Sequence, residues 1–365
     1  MLPPSPIIVI MQGVAAWNHW RRMQAPDTEA PQLREALLIR AELPRVNLSQ
    51  VDGCISNFSG ANLFQANLSQ AIFYTANLSQ AKLDWARLTG VDMREANLRD
   101  ASLIRVDGQH TNFAMADLHG SNFREAILTG SNFYKASLAG VDGCMAQMSQ
   151  CNLSHTDLQN SLFYTADLQQ ANLRQAKLTS ADFREANLTQ AILEDINACH
   201  TSFARAILDR AILTGALLAD ANLTMANLKL TILNKANLSN AQVQNAVLTE
   251  ASLVGATLCQ AQLQNSNMAQ TDCRNTLFSE ANLENVNLQG ADLSGANLSK
   301  AALQGGCLKD AKLKHTNLSH VDLRHTDLTG ADLSHAILVG TQLPKGYEST
   351  QYPVSETESC NRQVA

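Results

Sequence analysis

Leucine or phenylalanine recurs at every fifth residue along most of this chain. With Leu63, Leu68, Phe73, Leu78 and Leu83 as the frame, one phase runs to Leu343 without insertion or deletion. Residues 46–345 make 60 such pentapeptides, and 51 of the 60 central positions hold Leu or Phe, so the period itself has to be explained. Two residues before the centre stands a small side chain, as in Ala61, Ala66 and Ala71, and the residue between is commonly Asn or Asp. An α-helix would carry a period of five around every one of its sides. A plainly alternating strand fails too, because two polar residues follow the inward pair. The pattern suits a short extended piece pointing inward, outward and inward, then a tight two-residue corner. Repeating that corner closes the chain into a coil lined by Leu and a small residue.

The recurring ANLSQ and ADLSG motifs resemble the pentapeptide-repeat family, over 300 of the 365 residues. The segment GVAAWNHWR, from Gly13 to Arg21, is similar to one that precedes the repeats in bacterial, especially cyanobacterial, members. The resemblance implies an all-β fold, a right-handed quadrilateral β-helix with four pentapeptides per turn. Sixty repeats then give about 15 coils, each touching only its neighbours, in a rod about 70 Å long. Outward Asn residues are expected to form side-chain ladders along the stack.

Three regions follow. Residues 1–45 read as a helical cap over the first coil, 46–345 as the coil, and 346–365 as a polar, disordered tail. In the cap, Ile7, Ile10, Met11, Val14 and Trp17 keep helical spacing, and Asp27 reads as the N-cap of a second helix with Leu33, Leu37 and Leu38 on its apolar side. Tyr347 and Tyr352 are placed to fold over the last turn. The apolar run near the start is too short to span a bilayer and follows no basic segment, so a soluble, cytoplasmic protein is expected.

A longer repeat lies above the five-residue one. VDGCISNFSG (51–60) matches VDGCMAQMSQ (141–150), and HTNFAMADL after His110 matches HTSFARAIL after His200. The 90-residue offset is four and a half turns, which puts matched features on opposite sides of the coil. Phe64, Trp85 and Tyr164 fall on one side, Tyr74 and Tyr134 on the other. Gly53, Gly108 and Gly143 replace the central Leu in VDG segments. They mark either local repacking against neighbouring Phe or Met residues, or bulges where something binds close to the backbone.

Composition narrows the function. Hydrophobic residues are 45% and the net charge is only -6, which argues against disorder. No two of the eight cysteines are 20 residues apart, so no disulfide joins adjacent turns and a reducing compartment is expected. His315, His320, His325 and His335 share one repeat position, but only His315 and His335 should stack, which makes a poor zinc site. The Asn-x-Ser/Thr matches at Asn67, Asn77 and Asn237 are by-products of the repeat. No nucleophile–base pairing can be argued, so no enzyme, cofactor or metal site is expected.

The resemblance also implies an alternative: regulation of DNA gyrase by imitating the charge of DNA. Residues 46–345 carry 21 Lys+Arg and 26 Asp+Glu, spread with no acidic side. That scatter disfavours mimicry, and with no basic side either, nucleic acid is not an expected partner. Apolar exposure is the better lead. Ile192, Ile212 and Ile232 take the outward position on one side, Ile207 and Val247 on the next, and Leu217 on the one after. These six form a candidate protein-interaction patch, with Phe64 and Trp85 as secondary exposed aromatics. The expected reading is a non-enzymatic scaffold for a protein of unknown identity, without membrane contact. The resemblance adds a homodimer through the C-terminal end of the coil, and a purely structural rod is the remaining alternative.

Overall fold

The computed structural model describes residues 5–25, 29–345 and 347. Every pentapeptide contributes one bridged residue, the outward one before the central Leu, and each bridge is parallel and joins residues 20 apart. Four bridges therefore fall in each turn, as in Asn62↔Lys82, Asn67↔Arg87, Ile72↔Asp92 and Asn77↔Asn97. The extended pieces are only about three residues long, which is why they pair as single bridges rather than as longer strands. Solenoid stacking of this kind leaves each turn dependent on its two neighbours.

The ladder is regular. The central N–H donates to the outward carbonyl one turn on (Leu63 N to Lys82 O, 2.8 Å), and the outward N–H donates back (Lys82 N to Ala61 O, 2.9 Å). Each corner closes with the small residue's N–H on the preceding central carbonyl (Ala66 N to Leu63 O, 2.9 Å). The second corner residue sits in the left-handed region, with φ of 54° at Gln65 and 61° at Trp85. That conformation costs an L residue roughly 1–2 kcal/mol. It is held because the N–H it presents bonds the corner of the next turn, as in Gln65 N to Asp84 O at 3.0 Å.

Outward Asn and Asp have a second task that the ladder idea missed. Their Oδ1 accepts the N–H two residues on, as in Ser69 N to Asn67 Oδ1 (3.1 Å) and Cys144 N to Asp142 Oδ1 (3.1 Å). This needs only an acceptor, which explains why Asn and Asp interchange. Side-chain ladders occur as well, from Asn152 through Asn132 to Asn112, at 3.1 Å each.

Inside, Leu and Phe form one continuous apolar column with the small residues. Phe163, Phe183 and Phe203 stack on successive turns with centroids 5.2 and 5.6 Å apart. Gly53, Gly108 and Gly143 keep the ladder, their N–H groups donating to Ile72, Ile127 and Leu162 carbonyls at 2.7–2.8 Å. No bulge forms at any of the three; they are repacking positions.

The N-terminal region departs from expectation. Two short helices form, α1 (Pro6–Met11) and α2 (Val14–Met23), separated at Gly13, whose φ of 101° breaks the run. Val9, Ile10 and Trp17 are buried, whereas Met11 is exposed. Among the described residues after Asp27, no helix forms. Asp27 lies outside the described residues, and from residue 31 the chain is already coil, with bridges Gln32↔Asp52, Leu37↔Asn57 and Glu42↔Asn62. Leu33 and Leu38 are central, buried residues, and Leu37 takes the outward position and is exposed. Pro44 and Pro31 obscured this turn in the sequence, yet proline is accommodated there because neither position donates to the ladder.

α2 lies against the edge of this first turn. The Asn47 N–H donates to Asn18 Oδ1 (2.8 Å) and its carbonyl accepts from Trp17 Nε1 (2.6 Å), so α2 satisfies the edge at this position. Arg21 donates to the Ser49 carbonyl at 2.7 Å. At the other end the Tyr347 hydroxyl donates to the Leu328 carbonyl at 2.8 Å. Tyr352 and the rest of the expected tail lie outside the described residues.

Candidate interaction surface

A regular coil leaves two kinds of outward position: the bridged residue in mid-edge, and the two corner residues. Ile192, Ile212 and Ile232 are bridged to one another in mid-edge on three successive turns, between Asn172 and Ser252. Ile207 and Val247 flank Asn227 on the edge before, and Leu217 lies between Asn197 and Asn237 on the edge after. Ile207, Leu217, Ile232 and Val247 are exposed; Ile192 and Ile212 are half-buried between their neighbours. All six fall between residues 192 and 247 and wrap three adjacent sides. Phe64 and Trp85 are not part of this group. They lie at corners several turns away, where the Arg105 guanidinium covers the Trp85 ring at 4.9 Å.

The internal duplication supplies a comparison. Within the second copy, Ile192, Ile207 and Ile212 correspond to Ser102, Asp117 and Asn122 of the first, whereas Ile232 and Val247 lie beyond it. Only Leu217 corresponds to an apolar residue, Ile127. The same coil position is therefore satisfied by a polar residue in one half and an apolar one in the other. The apolar choice also forgoes a local bond. Thr189 N reaches Asn187 Oδ1 at 3.2 Å, but among the described residues the N–H groups of Glu194, Thr214 and Asn234 have no side-chain acceptor.

Next to these edges lies a corner that the sequence reading passed over. Tyr164, Arg184, Ala204 and Thr224 follow one another at 20-residue steps, with Arg205 and Met225 beside them, and line a cavity of about 550 Å³. Arg184 pairs with Asp182 (2.6 Å) and lies over the Tyr164 ring at 5.8 Å. Partial burial opposes ionisation of Asp182, but the Arg184 guanidinium and backbone N–H outweigh it and hold the carboxyl below its ordinary range. The Tyr164 hydroxyl donates to Glu185 Oε2 at 3.1 Å, and that carboxylate pushes the phenol up, so it stays protonated. Lining up the two halves residue by residue would have exposed this corner, because Thr224 stands where the other half has Tyr134.

The remaining chemistry-bearing groups are dispersed. The seven described cysteines are free, and burial pushes the Cys151 and Cys273 thiols up to about 12, which keeps them out of thiolate chemistry. His315 and His335 stack with centroids 5.0 Å apart, while His320 and His325 sit at other corners. Among the described residues, no three His, Cys, Asp or Glu side chains are grouped to hold a metal ion, and no helix is long and apolar enough to cross a membrane.

A parallel coil of five-residue units with a packed apolar column and laterally displayed side chains defines a β-solenoid. The model described as pentapeptide repeats (8 copies) matches ten overlapping segments from 32–70 to 307–343, interrupted only at 143–145 around Gly143. The chain belongs to the pentapeptide-repeat family. Its structure is similar to that of HetL, a pentapeptide repeat protein involved in heterocyst differentiation regulation from the cyanobacterium Nostoc sp. strain PCC 7120. That match has 30% identity, covers 65% of this chain and 91% of that one, and has a TM-score of 0.32. QnrB1, a plasmid-mediated fluoroquinolone resistance protein, is similar at 18% identity over 60% of this chain and 92% of its own, with a TM-score of 0.31. Rfr23 from the cyanobacterium Cyanothece 51142 is similar at 31% identity over 29% of this chain and 63% of its own, with a TM-score of 0.15. No curated protein matches the chain.

Proposed function

We propose that the protein is a non-enzymatic scaffold that holds a protein partner on its lateral sides, between residues 192 and 247. The column Ile192–Ile212–Ile232 carries this reading. It sets three apolar side chains in contiguous register, the first two of them where the other copy of the duplication presents Ser102 and Asn122. Clustered apolar exposure of this kind marks contact surfaces. The coil behind it is a right-handed rod of about 15 turns or slightly more, with α1 and α2 as its N-terminal cap. Free cysteines suit a reducing, cytoplasmic setting.

The test is affinity capture from the native cell with the full chain and with Ile192, Ile212 and Ile232 all replaced by Asn. The partner should be retained by the parent and lost by the variant. Equal capture, with equal sedimentation behaviour, would remove the assignment. Gyrase regulation is the second reading within the family. Its requirement for concentrated negative charge is at odds with acidic groups that pair with cations, such as Asp92 with Arg94, Asp182 with Arg184 and Asp272 with Arg274. A supercoiling assay with micromolar protein separates the two.

A further inference from the structure

The duplication builds one corner twice, on opposite sides of the coil. In one half Tyr74, Arg94, Ala114 and Tyr134 follow each other at 20-residue steps; in the other Tyr164, Arg184, Ala204 and Thr224 do so. The first two members match closely. Tyr74 donates to Glu95 at 3.2 Å and Tyr164 to Glu185 at 3.1 Å. Arg94 lies 5.6 Å over Tyr74 and pairs with Asp92 at 2.7 Å; Arg184 lies 5.8 Å over Tyr164 and pairs with Asp182 at 2.6 Å. The halves part at the fourth member. Tyr134 brings a ring, with Lys135 Nζ 5.2 Å from its centroid and the His155 ring edge-on at 5.5 Å, and Ala114 beside it is only 6% exposed. Thr224 brings no ring, Ala204 is left half-exposed, and the cavity of about 550 Å³ opens there.

We propose that this corner is an anchor site for an aromatic side chain, a tyrosine-like ring carried by the partner of the lateral surface. The proposal rests on that reading and deepens it. Tyr134 shows what the corner accepts, since it is the intramolecular occupant of the duplicated position. The lining suits a neutral ring: the methyls of Ala204 and Thr224 give an apolar floor, Met225 a thioether, and Arg184 and Arg205 flat cations. An anion is a worse fit. Arg184 is already paired with Asp182, and Arg205 lies 3.6 Å from Glu185, so an incoming carboxylate or phosphate would meet two acidic groups with the two cations. The corner also runs directly along the chain into Ile207. The corner therefore adjoins the edge that Ile207 and Val247 occupy, so a partner lying on that edge can reach it with one aromatic anchor.

Saturation-transfer NMR with N-acetyl-L-tyrosinamide as the probe tests this on the full chain. The parent should transfer saturation to the probe's ring protons. Thr224→Tyr, which fills the corner as the other half does, should reduce transfer to background while leaving the melting temperature unchanged. Tyr134→Thr, which opens the second corner, should roughly double the number of probe sites. Equal transfer to the parent and Thr224→Tyr would overturn the proposal, and so would equal transfer to N-acetyl-L-leucinamide. Binding of free tyrosine without binding of the capped form would also overturn it, since that marks an amino-acid site. Two further outcomes separate it from the lateral-surface reading. If the triple Ile→Asn variant loses the partner while Thr224→Tyr keeps it, the anchor falls and the surface stands. If the probe binds and the triple variant keeps its partner, the anchor stands and the isoleucine surface falls.

Discussion

The ring of Phe73 occupies the space that a side chain at Gly53 would need: an ideal Cβ on Gly53 falls 2.6 Å from Phe73 Cε1. The duplicated pair Gly143 and Phe163 shows the same crowding. Glycine at this centre is therefore the counterpart of an oversized residue one turn on. Gly53→Leu should destabilise the coil by about 1–3 kcal/mol through overpacking, and adding Phe73→Leu should recover most of that loss. Thermal unfolding of both single variants and the double variant checks the coupling. Additive losses would show that the two residues do not share one space.

Asn67 and Asn132 occupy equivalent positions but carry different loads. Asn67 accepts Ser69 N, which Asp does equally well, so Asn67→Asp should be close to neutral. Asn132 accepts Tyr134 N and also donates to Asn112 Oδ1 at 3.1 Å. Asn132→Asp removes that donor and sets a carboxylate against an amide oxygen, at a cost of about 1 kcal/mol. Denaturant midpoints of the two variants should differ in that order.

Trp17 is fully buried and donates to the Asn47 carbonyl. Trp17→Ala should cost about 3–5 kcal/mol locally. In a solenoid that loss is felt by the adjoining turn before the remote ones. Hydrogen exchange should accelerate across residues 31–50 and stay unchanged beyond residue 250. Uniform acceleration would show that the helices stabilise the whole coil rather than its end.

In several repeats an outward Asp in mid-edge pairs with an Arg two residues on at the corner, and the pairing sets an acid limit. The Arg324 guanidinium holds the Asp322 carboxyl down to about 2, and Asp92 and Asp272 are held low first by Arg94 and Arg274 in the same way. A carboxyl depressed in the folded state adds stability above its unfolded value near 4 and loses it as pH falls through the folded one. Melting temperature should therefore be flat above about pH 5 and decline between about pH 4 and pH 2. Carbon-13 titration of Asp322 should move up towards 4 in Arg324→Ala. An unmoved titration would show that Arg324 is not the cause.

The coil was legible in the sequence because its interior favours Leu or Phe so strongly that, from Leu48 to Leu343, the five-residue phase never slips even where a centre is Gly, Ala, Met, Val or Cys. Its first turn was not, because Leu33 and Leu38 keep the five-residue spacing while Leu37 between them makes the same three residues read as a helical face. What decides between them is the edge of the next turn, and that is a long-range contact. The left-handed corner was equally hidden. Ile55 takes it with φ of 61°, although a β-branched residue disfavours it, because stacking rather than local preference sets the backbone. The apolar column at Ile192, Ile212 and Ile232 could be read from the 20-residue step alone. The corner at Thr224 could not, since a missing ring has significance only beside the Tyr134 that fills the other half.

Replacing Ile192, Ile212 and Ile232 by Asn separates a structural role from a contact role. If the isoleucines served the coil, their removal would lower the melting temperature through lost strand preference, at up to about 1 kcal/mol per site. Against that stands the bond each Asn would gain, by accepting the N–H of Glu194, Thr214 or Asn234 as Asn187 accepts that of Thr189. Such a bond contributes about 0.5–1.5 kcal/mol, and Asn152, Asn132 and Asn112 show that stacked amides also bond one another. The two effects are of similar size and opposite sign, so the triple variant should melt within a few degrees of the parent. Its affinity for the partner should nevertheless fall, because the bond gained is internal and the apolar area lost is external. A large drop in melting temperature would assign the isoleucines to the coil. An unchanged melt with lost binding leaves contact with a partner as their role.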